Sequence, residues 1–175
     1  MAHTIVQVGV VLGSASDWPA VEPAVQLLHQ WGVQFEVIVA SAHRSPARAH
    51  TYAKEAEARG VQVIIAVAGA AAHLAGVLAS QTILPVIGVP IASSPLQGMD
   101  SLLATAQMPA GVPVATMALG SAGARNAVIL AVQILARQDQ RLRELLKAYK
   151  QELASKVEKA SLELQEKIAE LRKTF

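Results

Sequence analysis

The chain has 175 residues, enough for one domain with a sizeable core. Hydrophobic residues make up 53% of it but aromatics only 3%, with a formal charge of +2 and no cysteine. Disulfides, thiolate nucleophiles and Cys-ligated zinc are thereby excluded, and the apolar mass of Ala, Val, Leu and Ile suits buried parallel strands and tightly packed helices.

In chain order, short apolar runs predict strands over residues 5–12, 35–40, 61–67, 85–89 and 113–119. Helical patterns lie between and after them, over residues 20–31, 46–59, 71–80, 99–106 and 124–137. Ser45 followed by Pro46 predicts a helix start, a capping hydroxyl and then proline at the first helical position. Pro23 is expected to delay or kink the first helix. Strand–helix alternation implies an α/β fold: a five-stranded parallel sheet between helical layers, in a flavodoxin-like, three-layer αβα arrangement.

From Leu142 a different pattern takes over. Apolar positions run Leu142, Leu146, Tyr149, Leu153, Val157, Ala160, Leu164, Ile168, Leu171 and Phe175. Leu142, Leu153, Leu164 and Phe175 are each eleven residues apart, a repeat of about 3.67 residues per turn. Asp139 is the expected cap of this long helix. At roughly 50 Å it would outreach a small domain. Residues 1–137 are therefore expected to form the flavodoxin-like domain, and residues 138–175 a helical extension that packs on a neighbouring subunit.

Charge is distributed unevenly. Up to Ala136 the basic residues are Arg44, Arg48, Lys54, Arg59 and Arg125, and the remainder lie in the tail among acids. With no basic stripe and no aromatic platform, no nucleic-acid partner is expected. The longest apolar stretch, residues 61–79, carries Gln62, His73 and two glycines and reads as strand and helix, not as a membrane span. No secretory pattern opens the chain, so a cytoplasmic location is expected.

Every unusual polar cluster follows a predicted strand: Gly13-Ser14-Ala15-Ser16-Asp17, Ser41-Ala42-His43-Arg44, Gly69-Ala70-Ala71-Ala72-His73-Leu74, a segment from Ala92 to Gly98, and one from Gly120 to Asn126. In a doubly wound sheet these loops share one edge, where such folds bind ligands. The first is neither of the common nucleotide-binding glycine motifs, which argues against a dinucleotide or nucleoside triphosphate. Its amides and hydroxyls favour a phosphate, and Asp17 suits ribose hydroxyls or, alternatively, caps a helix. Arg44 reads as an anion clamp or as a surface residue paired with Glu36 or a helix acid. His43 and His73 lie in strand-end loops, whereas His29 and His50 fall on helices and His3 is terminal. No histidine pair has metal-ligand spacing and no acid completes a ligand set, so no metal is expected. The residues suggest a phosphorylated ribose held by Ser14, Asp17 and Arg44, with proton-shuttle chemistry at His43 beside an apolar pocket.

These motifs, with Pro85-Val-Ile-Gly-Val-Pro90, Gly98-Met-Asp-Ser-Leu-Leu103, Gln107-Met-Pro109 and Gly111-Val-Pro-Val-Ala-Thr116, stand in the order of one family. From residue 5 to about 137 the chain resembles the bacterial-type N5-carboxyaminoimidazole ribonucleotide mutases of purine biosynthesis. The resemblance implies an octameric, cofactor-free isomerase that moves a carboxyl group from the exocyclic nitrogen of its ribonucleotide substrate to carbon 4 of the imidazole. It further implies that Ser14 and Arg44 bind phosphate, Asp17 the ribose, and that Ser41 supports the substrate. His43 would shuttle the proton, and Gly69, Ala70, His73 and Leu74 would line the carboxylate pocket. Where the family usually reads Gly-Ala-Gly-Gly-Ala-Ala-His-Leu-Pro-Gly, this chain has Val67, Ala70 and Ala75 in place of two glycines and the proline. A related carboxylase that takes free carbon dioxide usually carries an Ala-Gly-Arg-Ser-Asn-type loop instead. A non-catalytic phosphoribosyl-binding paralogue is the other alternative.

Overall fold

The computed structural model of the chain describes residues 6–173. His3, Ile5 and Phe175, on which sequence expectations fell, lie outside them. The chain divides into two compact units, one ending at Leu135 and the other beginning at Ala136.

The first unit is built on five parallel strands, β1 (Val8–Leu12), β2 (Phe35–Val39), β3 (Val63–Gly69), β4 (Val86–Ile91) and β5 (Ala115–Thr116), ordered β2-β1-β3-β4-β5. The helices are α1 (Trp18–Gln30), α2 (Pro46–Ala56), α3 (Leu74–Ala79), α4 (Met99–Ala106) and α5 (Gly120–Leu135). This is the flavodoxin-like order that the alternation predicted. Buried β1 and β4 and nearly buried β3 form the sheet's centre, which explains their almost unbroken Val and Ile content. The half-exposed β2 is an edge.

Three departures from the predicted elements have local causes. β5 is only two residues long, pairing Ile87 with Ala115 and Gly88 with Thr116. Pro113 at the start of the predicted strand has no N–H to donate to a ladder. Helix α3 begins at Leu74, not at residue 71, because Ala70 and Ala72 adopt left-handed φ of 51° and 37°. Helix α1 starts at Trp18 and runs through Pro23, so the proline neither delays nor ends it.

One close approach seats α2 against the sheet. A side chain at Gly9 in β1 would overlap the hydroxyl of Tyr52. Tyr52 is buried, with the Arg59 guanidinium over its ring at 4.9 Å. Burial and the neighbouring Glu36 push its phenol well above the usual tyrosine range, so it stays protonated at physiological pH.

The second unit contains α6 (Gln140–Lys173), a 34-residue helix. The Asp139 carboxylate accepts from the Leu142 amide at 3.1 Å, the predicted N-cap.

Candidate active site

The order β2-β1-β3 makes the chain reverse direction across the sheet after β2. The crevice between the carboxyl ends of β1 and β3 is the topological switch point. The Gly13 amide donates to the Val67 carbonyl at 2.8 Å and holds the loop after β1 against the end of β3. Ser14 then caps a single 3₁₀ turn, Ala15–Asp17, with its Oγ accepting from the Ser16 amide at 3.3 Å and the Ser16 hydroxyl at 2.8 Å. That turn delivers Asp17 into the protein, where it is only 5% exposed. Asp17 makes no capping bond to α1, so its carboxylate is not used up by the helix. Burial pushes its carboxyl above the ordinary aspartate value. The Ser14 backbone amide and the Arg44 guanidinium pull it back only in part.

After β2 the chain closes a tight turn on its own serines. The Arg44 amide donates to Ser41 Oγ at 3.1 Å, and the Ser41 amide to Ser45 Oγ at 2.9 Å. Ser45 Oγ in turn donates to the Ser41 carbonyl at 3.3 Å. The Ser45 hydroxyl therefore braces the turn and makes no capping bond to α2, a correction to the predicted role. The braced turn aims Arg44 across the sheet edge, where Nη2 donates to the Gly13 carbonyl at 3.2 Å. Glu36, the alternative partner for Arg44, pairs instead with Arg59 at 2.9 Å. His43, Arg44 and His73 are all exposed at this edge, and His29 and His50 lie exposed on α1 and α2.

The same geometry brings two histidines together that are thirty positions apart in sequence. His43 Nε2 lies 2.7 Å from His73 Nδ1, with the rings edge-on at 81°. In such a bond one ring nitrogen donates its N–H and the other accepts, with the roles set by the tautomers of the two rings. Neither local pattern nor motif spacing announces this contact.

Around these groups lies a cavity of about 240 Å³. Ser14, Asp17, Ser41, His43, Arg44, Gly69, His73 and Leu74 all line it, drawn from the loops after β1, β2 and β3. Ala70 is not among the lining residues and is exposed beside them. Ser93, after β4, also lines the cavity and was not singled out in the sequence. A Cβ at Gly69 would overlap Ser93 Oγ, so glycine there lets the serine reach the site. The rule that every strand-end loop converges could have found Ser93. It fails for the fifth loop: the segment from Gly120 to Asn126 forms the first turns of α5 and contributes no lining residue. Among the described residues no group of three or more His, Asp or Glu side chains gathers as a metal site would require.

The left-handed Ala70 carries a measurable strain. Such a conformation costs an L-residue about 1–2 kcal/mol, and the greater freedom of glycine in the unfolded chain offsets roughly half of the gain from relieving it. Ala70→Gly is expected to raise the melting temperature by about 2–4 °C, on the basis of ~1 kcal/mol and a chain of this size. Calorimetry showing no rise would mean that the loop relaxes around alanine at no cost.

The family model for AIR carboxylase matches residues 7–156. A protein of Pyrococcus horikoshii named N5-carboxyaminoimidazole ribonucleotide mutase is 50% identical over 159 residues, covering 91% of this chain and 89% of that one. A protein of the same name from Pseudomonas aeruginosa is 52% identical over 143 residues, covering 82% and 88%. The crystal structure of Treponema denticola PurE superposes with a TM-score of 0.77 at 26% identity, covering 86% of this chain and 93% of that chain. With half of its residues shared across nearly the full length of such relatives, and a cavity at the flavodoxin-like switch point, this chain belongs to the AIR carboxylase family.

Proposed function

We propose that the chain is an N5-carboxyaminoimidazole ribonucleotide mutase, an isomerase of purine biosynthesis. The observation that carries this reading is the clustering of Ser14, Asp17, Arg44, His43 and His73 around one cavity in a chain about half identical to proteins of that name. Arg44 and the hydroxyls of the Ser14 turn suit the phosphate. The buried Asp17 carboxylate suits the ribose hydroxyls, and the imidazole of the ligand then reaches toward the two histidines. The N–carboxylate bond breaks, releasing carbon dioxide into the pocket while the exocyclic nitrogen takes a proton from His43. Carbon 4 attacks the carbon dioxide, forming the new C–C bond, and His43 removes the proton that carbon 4 still bears. The base ends as it began, and one proton has moved from carbon to nitrogen. Gly69, His73, Leu74 and Ser93 hold the carbon dioxide against escape, with Ser41 bracing the turn that carries His43. Ala70 sits beside this wall and shapes its backbone.

Support for a homo-oligomer comes from apolar surface on the single chain: Val39 on the edge strand, with Ile83, Leu96, Met99 and Leu103, is exposed. An octamer is the assembly that the resemblance implies. No helix among the described residues is long and apolar enough to cross a membrane, and the reading places the enzyme in the cytoplasm with its nucleotide substrate.

The test is a direct isomerisation assay with purified protein and N5-carboxyaminoimidazole ribonucleotide. Turnover that does not depend on added bicarbonate is the expected result. Bicarbonate-dependent carboxylation of aminoimidazole ribonucleotide would mark the carboxylase instead, and ligand binding without turnover a non-catalytic paralogue.

A further inference from the structure

The apolar stripe of α6 continues past residue 156, where the match to the family model ends. Leu153, Val157, Leu164, Ile168 and Leu171 are between 39% and 70% exposed on the single chain. At 34 residues the helix is about 50 Å long. Within the second unit, among the described residues, no other helix or strand accompanies it to cover the stripe. An isolated helical segment of some twenty residues is also marginal in water unless its apolar side is covered.

The form of the stripe says what covers it. A helix lying on a globular surface presents a broad apolar band. Here the band is narrow and keeps an eleven-residue phase: Leu153, Val157, Ala160, Leu164, Ile168 and Leu171 (Leu162 lies off it). That phase is the signature of a helix wound gently on another helix. The charges beside it select the partner and its direction. Along one flank stand Glu152, Lys156, Glu163 and Lys167, alternating in sign. Read backwards, the order is inverted, so this flank is complementary to itself in an antiparallel pair. In antiparallel coils like flanks face each other, and flanking charges set partner and orientation. Such a contact is isologous and closes by a two-fold axis.

We propose that residues 152–172 of α6 pair antiparallel with the same segment of a second copy of this chain. Leu153 then stacks near Ile168 of the second copy, and Val157 near Leu164 of the second copy. Glu152 meets Lys167 of the second copy, and Lys156 meets Glu163 of the second copy. Ala160 falls next to the two-fold axis, facing its own counterpart. The inference does not depend on which reaction the first unit performs.

The absence of cysteine makes the test simple. Three full-length variants, Ala160→Cys, Leu153→Cys and Leu162→Cys, are oxidised mildly and run on a denaturing gel without reductant. Ala160→Cys is expected to give at least tenfold more disulfide-linked dimer than the other two. The Leu153 positions of the two copies would stand about 22 Å apart, and Leu162 points away from the seam. Linkage at Leu153 as strong as at Ala160 would establish a parallel pair and overturn the proposal. Linkage at Ala160 no stronger than at Leu162 would overturn it as well. Circular dichroism of each variant, expected to match the parent, separates a lost pairing from a lost helix.

Discussion

Replacing His43 by Asn is expected to lower kcat by about 10² to 10⁴-fold, the span that a positioned acid–base group contributes, while ligand affinity stays near that of the parent. Asn can hold a hydrogen bond but cannot accept and return a proton at the ligand ring. The phosphate and ribose groups, Arg44 and Asp17, sit on other parts of the cavity wall and are untouched. The substitution also breaks the 2.7 Å bond between the two imidazoles. A His43→Asn/His73→Asn double variant should then lose less than the product of the single losses, because the two side chains are coupled. Steady-state kinetics with a separate binding measurement decides the matter. Parent-like turnover in His43→Asn would remove the proton shuttle from this residue.

Asp17→Asn is expected to act in opposite directions on binding and on stability. A charge-assisted hydrogen bond contributes about 1.5–3 kcal/mol, so losing the carboxylate should raise KM by roughly 10 to 150-fold. The unliganded protein, by contrast, should become more stable at neutral pH. Burial raises the folded-state pKa of Asp17 above its unfolded value. The stability contributed by that shift is complete below the unfolded value and is lost as pH rises through the folded one. At pH 7 the ionised carboxylate is therefore a destabilising group that Asn removes. Thermal melts of parent and variant without ligand, followed from pH 7 down to about pH 4, should converge as Asp17 takes up its proton. Melts that run parallel across this range would show that the carboxylate is not strained by burial. The site thus keeps a costly buried charge, as binding sites commonly do.

Other parts of this molecule were legible at once and others were hidden, and the boundary follows the range of the forces. The alternation of strands and helices, the Asp139 cap and the start of α2 at Pro46 rest on neighbours within a few positions. The buried central strands could be read from their apolar runs for the same reason. Motif order was enough to name the family and to put Ser14, Asp17, Ser41, His43, Arg44, Gly69, Ala70, His73 and Leu74 forward as one group, of which Ala70 does not line the cavity. Contacts between distant segments were not legible. The bond from His43 to His73 joins loops thirty positions apart, and the place of Ser93 in the cavity depends on the missing side chain of Gly69. Ser45 could be read as a cap because that is its local preference, yet the closed turn with Ser41 recruits its hydroxyl instead. The left-handed Ala70 and Ala72 are against local preference and are imposed by how β3 hands over to α3. Local patterns thus determined the elements, the sheet and the chemical cast of this protein. Only the tertiary structure decided which groups touch, because a hydrogen bond between distant loops depends on where the whole sheet places its ends.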